Sequence, residues 1–162
     1  ASPIRVPTEP ATMPQSLAQI YLHIVFSTKQ RHPYFVDDVI RTRMHEFLGG
    51  TCNTLECPVI KVGGATDHVH DFVTSAHYRG IDAYSRVEAS IVDWVKEEYS
   101  ALDDFHWQKG YGAFSVSPSH VPDLITYIEN QMEHHKTESF QDEFRRLLRK
   151  YGLEWDERYV WD

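Results

Sequence analysis

From Leu17 to Thr28 the chain is dense in Ile, Leu, Val, Tyr and Phe, which predicts a first strand. A turn over Lys29–Pro33 follows. Asp37 then opens a segment in which Val39, Ile40, Met44, Phe47 and Leu48 fall at helical spacing, expected to end near Gly49-Gly50. Pro58–Val62 reads as a short strand broken by Gly63-Gly64, and His68–Thr74 reads as another. Ile81–Tyr99 predicts a second helix, with Tyr84, Val87, Ile91, Trp94 and Val95 as most of its apolar stripe. A fourth strand is expected over Tyr111–Ser117, then helices over Ser119–Lys136 and Phe140–Tyr151. Strand, helix, two strands, helix, strand is the order of an α+β ferredoxin-like split βαβ sandwich, here with extra C-terminal helices. Residues 1–16 carry four prolines and little periodicity, so they read as an extended N-terminal arm before a single domain over 17–162.

Composition narrows the function classes. An apolar fraction of 41% and an aromatic fraction of 13% in 162 residues suit a packed core rather than a disordered chain. The formal net charge of −8 argues against a broad basic surface, and the acidic excess is shared between residues 1–118 and 119–162. Lys29, Arg31, Arg41 and Arg43 are neighbours in sequence, either a local patch or a solvated surface. Cys52 and Cys57 are too few for a secreted disulfide scaffold and lack the second pair that a structural zinc site needs. With no membrane-length apolar run and no leader-like start, the expectation is a soluble, cytoplasmic protein.

Two local patterns carry chemistry. His68 and His70 flank Val69 on a predicted strand, and period-two alternation puts both imidazoles on one face. They can grip one divalent ion between them, or they can be two polar groups beside the core. Asp67 is open to three readings: a turn residue, a further ligand, or an acceptor that holds an imidazole by its second nitrogen. On the helix over Ser119–Lys136, Ser119 is a candidate cap and Pro122 falls in the first turn. Val121, Leu124, Ile125, Ile128 and Met132 make its apolar stripe, flanked by a row of Tyr127, Gln131 and His134. An ion held by the Gln131 amide oxygen would sit near the Tyr127 hydroxyl, and a neutral oxygen beside imidazoles suits Mg²⁺ or Mn²⁺. A helix-borne tyrosine is also an ordinary boundary aromatic. His134 and His135 can serve proton transfer, phosphate contact or the helix end, and Lys136 can meet DNA or the helix C-terminus.

Taken together, GGATDHVHDFV at 63–73, WQKGYGAFSVSPS at 107–119, YIENQMEHHKTESFQDEF at 127–144 and the closing YGLEWDERYVWD resemble IS200/IS605-type transposases of the HUH superfamily of tyrosine nucleases, including relatives associated with repetitive extragenic palindromes. The resemblance covers nearly everything after the arm. It implies a ferredoxin-like domain acting as a homodimer on single-stranded DNA, often with hairpin ends, and Tyr127 as the nucleophile. It implies metal ligation by His68, His70 and Gln131, with Tyr127 serving its own or the partner subunit's histidines. The implied reaction is transesterification through a 5′-phosphotyrosine link. Three features depart from the pattern. Asp71 follows the histidine pair on the face of Val69 and Val73, where a carboxylate needs a partner or an exposed strand end. The second helix is more acidic than is usual for the family, and the whole chain is acidic. These leave a non-catalytic or domesticated nucleic-acid-binding protein as the alternative.

Overall fold

Strands β1 (Ile20–Ser27), β2 (Val59–Gly64), β3 (His68–Ser75) and β4 (Gly112–Ser115) form one antiparallel sheet ordered β2-β3-β1-β4. This is the ferredoxin-like arrangement expected from the sequence. The computed structural model describes residues 17–75 and 84–162; the expected arm over 1–16 and the expected start of the second helix at Ile81 lie outside them. No helix among the described residues is long and apolar enough to cross a membrane.

Alternation along β1 and β3 sorts the two sheet faces. Leu22, Ile24, Phe26, Val69 and Val73 join Met44 and Leu48 of α1 (Asp38–Thr54) and Val87, Ile91 and Val95 of α2 (Tyr84–Glu98) in the main core. The opposite face carries His23, Val25, His68, His70 and Phe114. It lies under α3 (Val121–Glu129), α4 (Gln131–His134) and α5 (Phe140–Lys150). Phe140, Phe144, Leu147 and Leu148 of α5 pack with Val25 and Phe114 in a second core. Each fully buried side chain of this kind contributes about 1.5–3 kcal/mol. That burial holds down a helix whose outer side bears Arg145, Arg146, Arg149 and Lys150.

The structure corrects several expected boundaries. The helix opens at Asp37 as expected, with Asp37 as its cap accepting from the backbone N–H of Val39 and Ile40, but it passes through Gly49-Gly50 to Thr54. A Cβ at Gly49 would lie 3.3 Å from Val59 Cγ1, and Cys52 beyond it is buried in the core. Tertiary packing therefore carries the helix past two weak helix formers. Gly63-Gly64 does not end β2 but forms its last two residues. The long helix expected over Ser119–Lys136 is instead a 3₁₀ turn over Pro118–His120, then α3, a bend at Asn130 (φ −94°, ψ 14°), and α4. Ser119 makes no capping bond; Ser117 Oγ lies 2.6 Å from His120 Nδ1 instead. Of the expected stripe on α3 and α4, only Ile128 is buried, and Met132 is exposed.

Candidate active site

The alternation of β3 places His68 and His70 on the helix-covered face opposite α2, both fully buried. The Asn130 bend turns the start of α4 toward them, so Gln131 Oε1 lies 2.9 Å from His68 Nε2. Tyr127, one turn earlier, stands edge-on to His70 with ring centroids 5.7 Å apart. The four residues singled out in the sequence thus meet within one chain.

Each histidine is held from behind. His68 Nδ1 lies 2.7 Å from Asp67 Oδ1, and His70 Nδ1 lies 2.7 Å from His23 Nε2. Asp67 combines two of its three sequence readings, because its backbone carbonyl also accepts from Thr28 N–H at 2.8 Å. With both Nδ1 atoms engaged, the two Nε2 atoms face the site.

At its centre is Glu143 of α5, fully buried and outside the set read from the sequence. Its Oε1 lies 2.8 Å from His70 Nε2, 3.1 Å from His135 Nε2 and 3.5 Å from His68 Nε2. Its Oε2 accepts from the Tyr127 hydroxyl and, at 3.2 Å, from Gln131 Nε2. One signal for it exists in the sequence. Phe140, Phe144, Leu147 and Leu148 define the buried stripe of α5, and position 143 falls on that stripe, where a carboxylate is out of place.

The electrostatics follow from this crowding. Burial pushes Glu143 upward, but the surrounding His70, His135 and His68 outweigh it and hold the carboxyl well below its usual range. Burial lowers His70 against the opposing pull of Glu143, and burial together with His70 lowers His23 further. For His135, burial is overcome by the Glu143 carboxylate, so this imidazole is raised. Tyr127 is raised by burial and by Glu143, with partial relief from Arg146, whose Nη2 donates to the phenolic oxygen at 2.8 Å.

The donor set suits a divalent ion. Ligand atoms of His68, His70, His135 and Glu143 all lie within 4.8 Å of one another, and the Gln131 amide oxygen faces the same space. Beside Tyr127 opens a cavity of about 600 Å³, lined in part by Arg146, Lys150, His120, Leu124 and Tyr151. Of the cations along α5, Arg146 and Lys150 line this cavity, and Arg146 is also paired with Glu138. The earlier cluster does not form one patch. Arg41 turns inward to Asp38 and the Phe35 carbonyl, Arg43 binds Tyr99 and Glu98, and Arg31 donates to the Trp161 carbonyl.

Asp71 is buried on the α1–α2 side of the sheet, with partners for one of its two oxygens and none among the described residues for Oδ1. Its Oδ2 accepts from the Tyr84 hydroxyl at 2.5 Å and from Cys52 Sγ at 3.1 Å. Burial still lifts its carboxyl to about 6 against these two hydrogen bonds. Two further aromatics serve packing: Phe114 is buried against Tyr151, and Trp107 packs on Phe26 and Phe105.

Residues 16–131 match the family model described as IS200-like transposase. No curated protein matches the chain. Among solved structures, a protein of Deinococcus radiodurans R1 described as a transposase superposes with a TM-score of 0.59 at 18% identity, covering 76% of this chain and 98% of that one. A REP-associated tyrosine transposase bound to a REP hairpin superposes with a TM-score of 0.50 at 9% identity, covering 78% and 74%. At these identities the likeness is one of fold.

Proposed function

The chain belongs to the IS200-like transposase family, and on that footing we propose that it cuts and rejoins single-stranded DNA with Tyr127 as nucleophile. The observation that carries this reading is the convergence of Tyr127, His68, His70 and Gln131 around one buried point in a single chain. The phenolic oxygen attacks a scissile phosphate, releasing a 3′-hydroxyl and leaving a 5′-phosphotyrosine link. A later 3′-hydroxyl attacks that link, rejoins the strand and restores the tyrosine. One phosphoester replaces another, so no external energy source enters.

The chain's own side chains account for much of the work. Arg146 donates to the Tyr127 oxygen, which favours the phenolate as it forms. Asp67 and His23 fix the rotation of the two strand histidines. Arg146, Lys150 and His120 line an approach suited to phosphates, and Leu124 and Tyr151 offer apolar surface to a base. His68, His70 and Gln131 would hold Mg²⁺ or Mn²⁺, which supplies Lewis-acid polarisation of the phosphate.

Hairpin-ended DNA and a homodimer belong to the same proposal. A dimer need not exchange its tyrosine helices, because Tyr127 lies beside the His70 of its own chain. The competing view of a non-catalytic binder drew on Asp71 and on the acidic surface; Tyr84 and Cys52 supply hydrogen bonds to Asp71 Oδ2, which weakens the first motive, while the net charge of −8 keeps the second. The test is incubation with labelled single-stranded flanking DNA and Mn²⁺. A denaturant-resistant adduct is expected from the parent chain and none from Tyr127→Phe; an adduct that persists in the variant overturns the assignment of Tyr127.

A further inference from the structure

Glu143 and His135 have no part in the ligand set of His68, His70 and Gln131, yet both face it. Glu143 arrives from α5 and His135 from the residue after α4, both beyond the 16–131 segment that defines the family match. We propose that Glu143 and His135 are further ligands of the same divalent ion, which adds a third imidazole and a carboxylate to the two histidines and the Gln131 amide oxygen and makes the centre one for a transition-series ion such as Mn²⁺ rather than for Mg²⁺. This deepens, and rests on, the metal reading under Proposed function.

Three observations carry it. The first is spacing. Metal–ligand bonds of about 2.0–2.2 Å place adjacent donors of a tetrahedral or octahedral shell about 3.0–3.5 Å apart. Glu143 Oε1 lies 2.8, 3.1 and 3.5 Å from the Nε2 atoms of His70, His135 and His68, so its neighbours already stand close to shell distance.

The second is a buried ring nitrogen that has an ion-pair contact but no well-aligned hydrogen bond. The His135 side chain is only 9% exposed, and its Nε2 is buried with no hydrogen-bond partner among the described residues. The 3.1 Å approach to Glu143 has the distance of a hydrogen bond without its angle. A buried ring nitrogen aimed into a polar cluster without a bond calls for a further group at that place.

The third is charge. A fully buried carboxylate among imidazoles must be balanced by protonated rings or by a cation. His68 and His70 already use Nδ1 on Asp67 and His23, which leaves their Nε2 atoms to donate or to ligate. A nitrogen-rich set with one carboxylate suits Mn²⁺ or its heavier neighbours, whereas Mg²⁺ prefers oxygen and retained water.

The experiment measures Mn²⁺ binding to the full chain by the loss of the free-ion EPR signal, with Mg²⁺ as competitor and Co²⁺ absorption as a coordination readout. Parent, Glu143→Gln, Glu143→Asp, His135→Ala and His68→Ala are compared, each checked for fold by circular dichroism. Loss of a merely supporting partner costs about 10–100-fold in affinity, so Glu143→Gln is expected to weaken Mn²⁺ by about 100-fold or more. His135→Ala should weaken it by at least about 10-fold and alter the Co²⁺ spectrum. Glu143→Asp, which keeps the charge but draws it back by one methylene, should also bind less tightly. Unchanged Mn²⁺ affinity and Co²⁺ spectrum in Glu143→Gln, with binding lost in His68→Ala, would overturn the role of Glu143 and leave the histidine-pair reading standing. If the parent binds none of the three ions, the metal reading itself fails, and this inference with it.

Discussion

A Cβ on Gly63 would stand 2.5 Å from the carbonyl oxygen of Ile128, so β2 and the tyrosine-bearing helix α3 touch through bare backbone. No side chain can be inserted there without moving one element. Gly63→Ala is expected to shift α3 outward and carry Tyr127 and Gln131 away from His68 and His70. The expected outcome is adduct formation reduced at least about tenfold, because misplacements of this size are expensive in catalysis. Stability should fall by about 1–3 kcal/mol, read from urea unfolding, with the far-ultraviolet spectrum retained.

Arg146 donates to the Tyr127 oxygen while Glu143 accepts the Tyr127 proton, and the two neighbours pull the phenol in opposite directions. Burial and Glu143 raise the phenol, and Arg146 lowers it. Removing the guanidinium raises it further. In Arg146→Ala the pH dependence of the single-turnover cleavage rate should therefore move to higher pH, with binding of a short single strand less affected. A profile superimposable on that of the parent would count against the role of Arg146.

Glu88 on α2 carries a stability switch remote from the site. Burial raises its carboxyl from 4.5 to about 7, and its Oε1 has no hydrogen-bond partner among the described residues. The folded state therefore prefers the protonated form. The stabilisation from this proton is fully present below the unfolded value and is lost as pH rises through about 7. Glu88→Gln removes the liability, so it should be more stable than the parent above that pH by about 1–3 kcal/mol, with the gap closing in acid. Denaturant midpoints at mildly acidic and mildly alkaline pH test this.

Lys150 lines the cavity beside Tyr127 on the cationic side of α5. If a DNA phosphate sits there, Lys150→Ala should reduce the slope of log affinity against log salt by about 0.7, the value for one contact on a single strand. Sequence preference should be unchanged, since a phosphate contact reads no base. An unaltered salt slope would place the backbone elsewhere.

Much of the frame was legible in the sequence, for reasons specific to its elements. The order of apolar runs was enough for the sheet, because a split βαβ order leaves few topologies to consider. The histidine pair was legible because period two is a local property of a strand. Glu143 was harder to see. It joins His70 across 73 positions, and only its place on the stripe of Phe140 and Phe144 marked it as buried. Gly63 was read as a strand breaker because its reason for being glycine, the Ile128 carbonyl, lies on another element. The bend at Asn130 was invisible for a similar cause. Residues 119–136 have helical periodicity throughout, and the break that swings Gln131 toward His68 is set by what α4 packs against.

The enclosure of Glu143 also constrains how this gene can decay. A lineage that ceased to need strand transfer could not easily shed these side chains singly. Losing His70 alone strands an anion in the interior, and losing Glu143 alone leaves His68, His70 and His135 crowded around an empty centre. Inactive descendants should therefore replace the group as a block, with apolar residues that continue the stripe from Phe140 to Leu148. A descendant that keeps the whole group should still be under selection for what the group does.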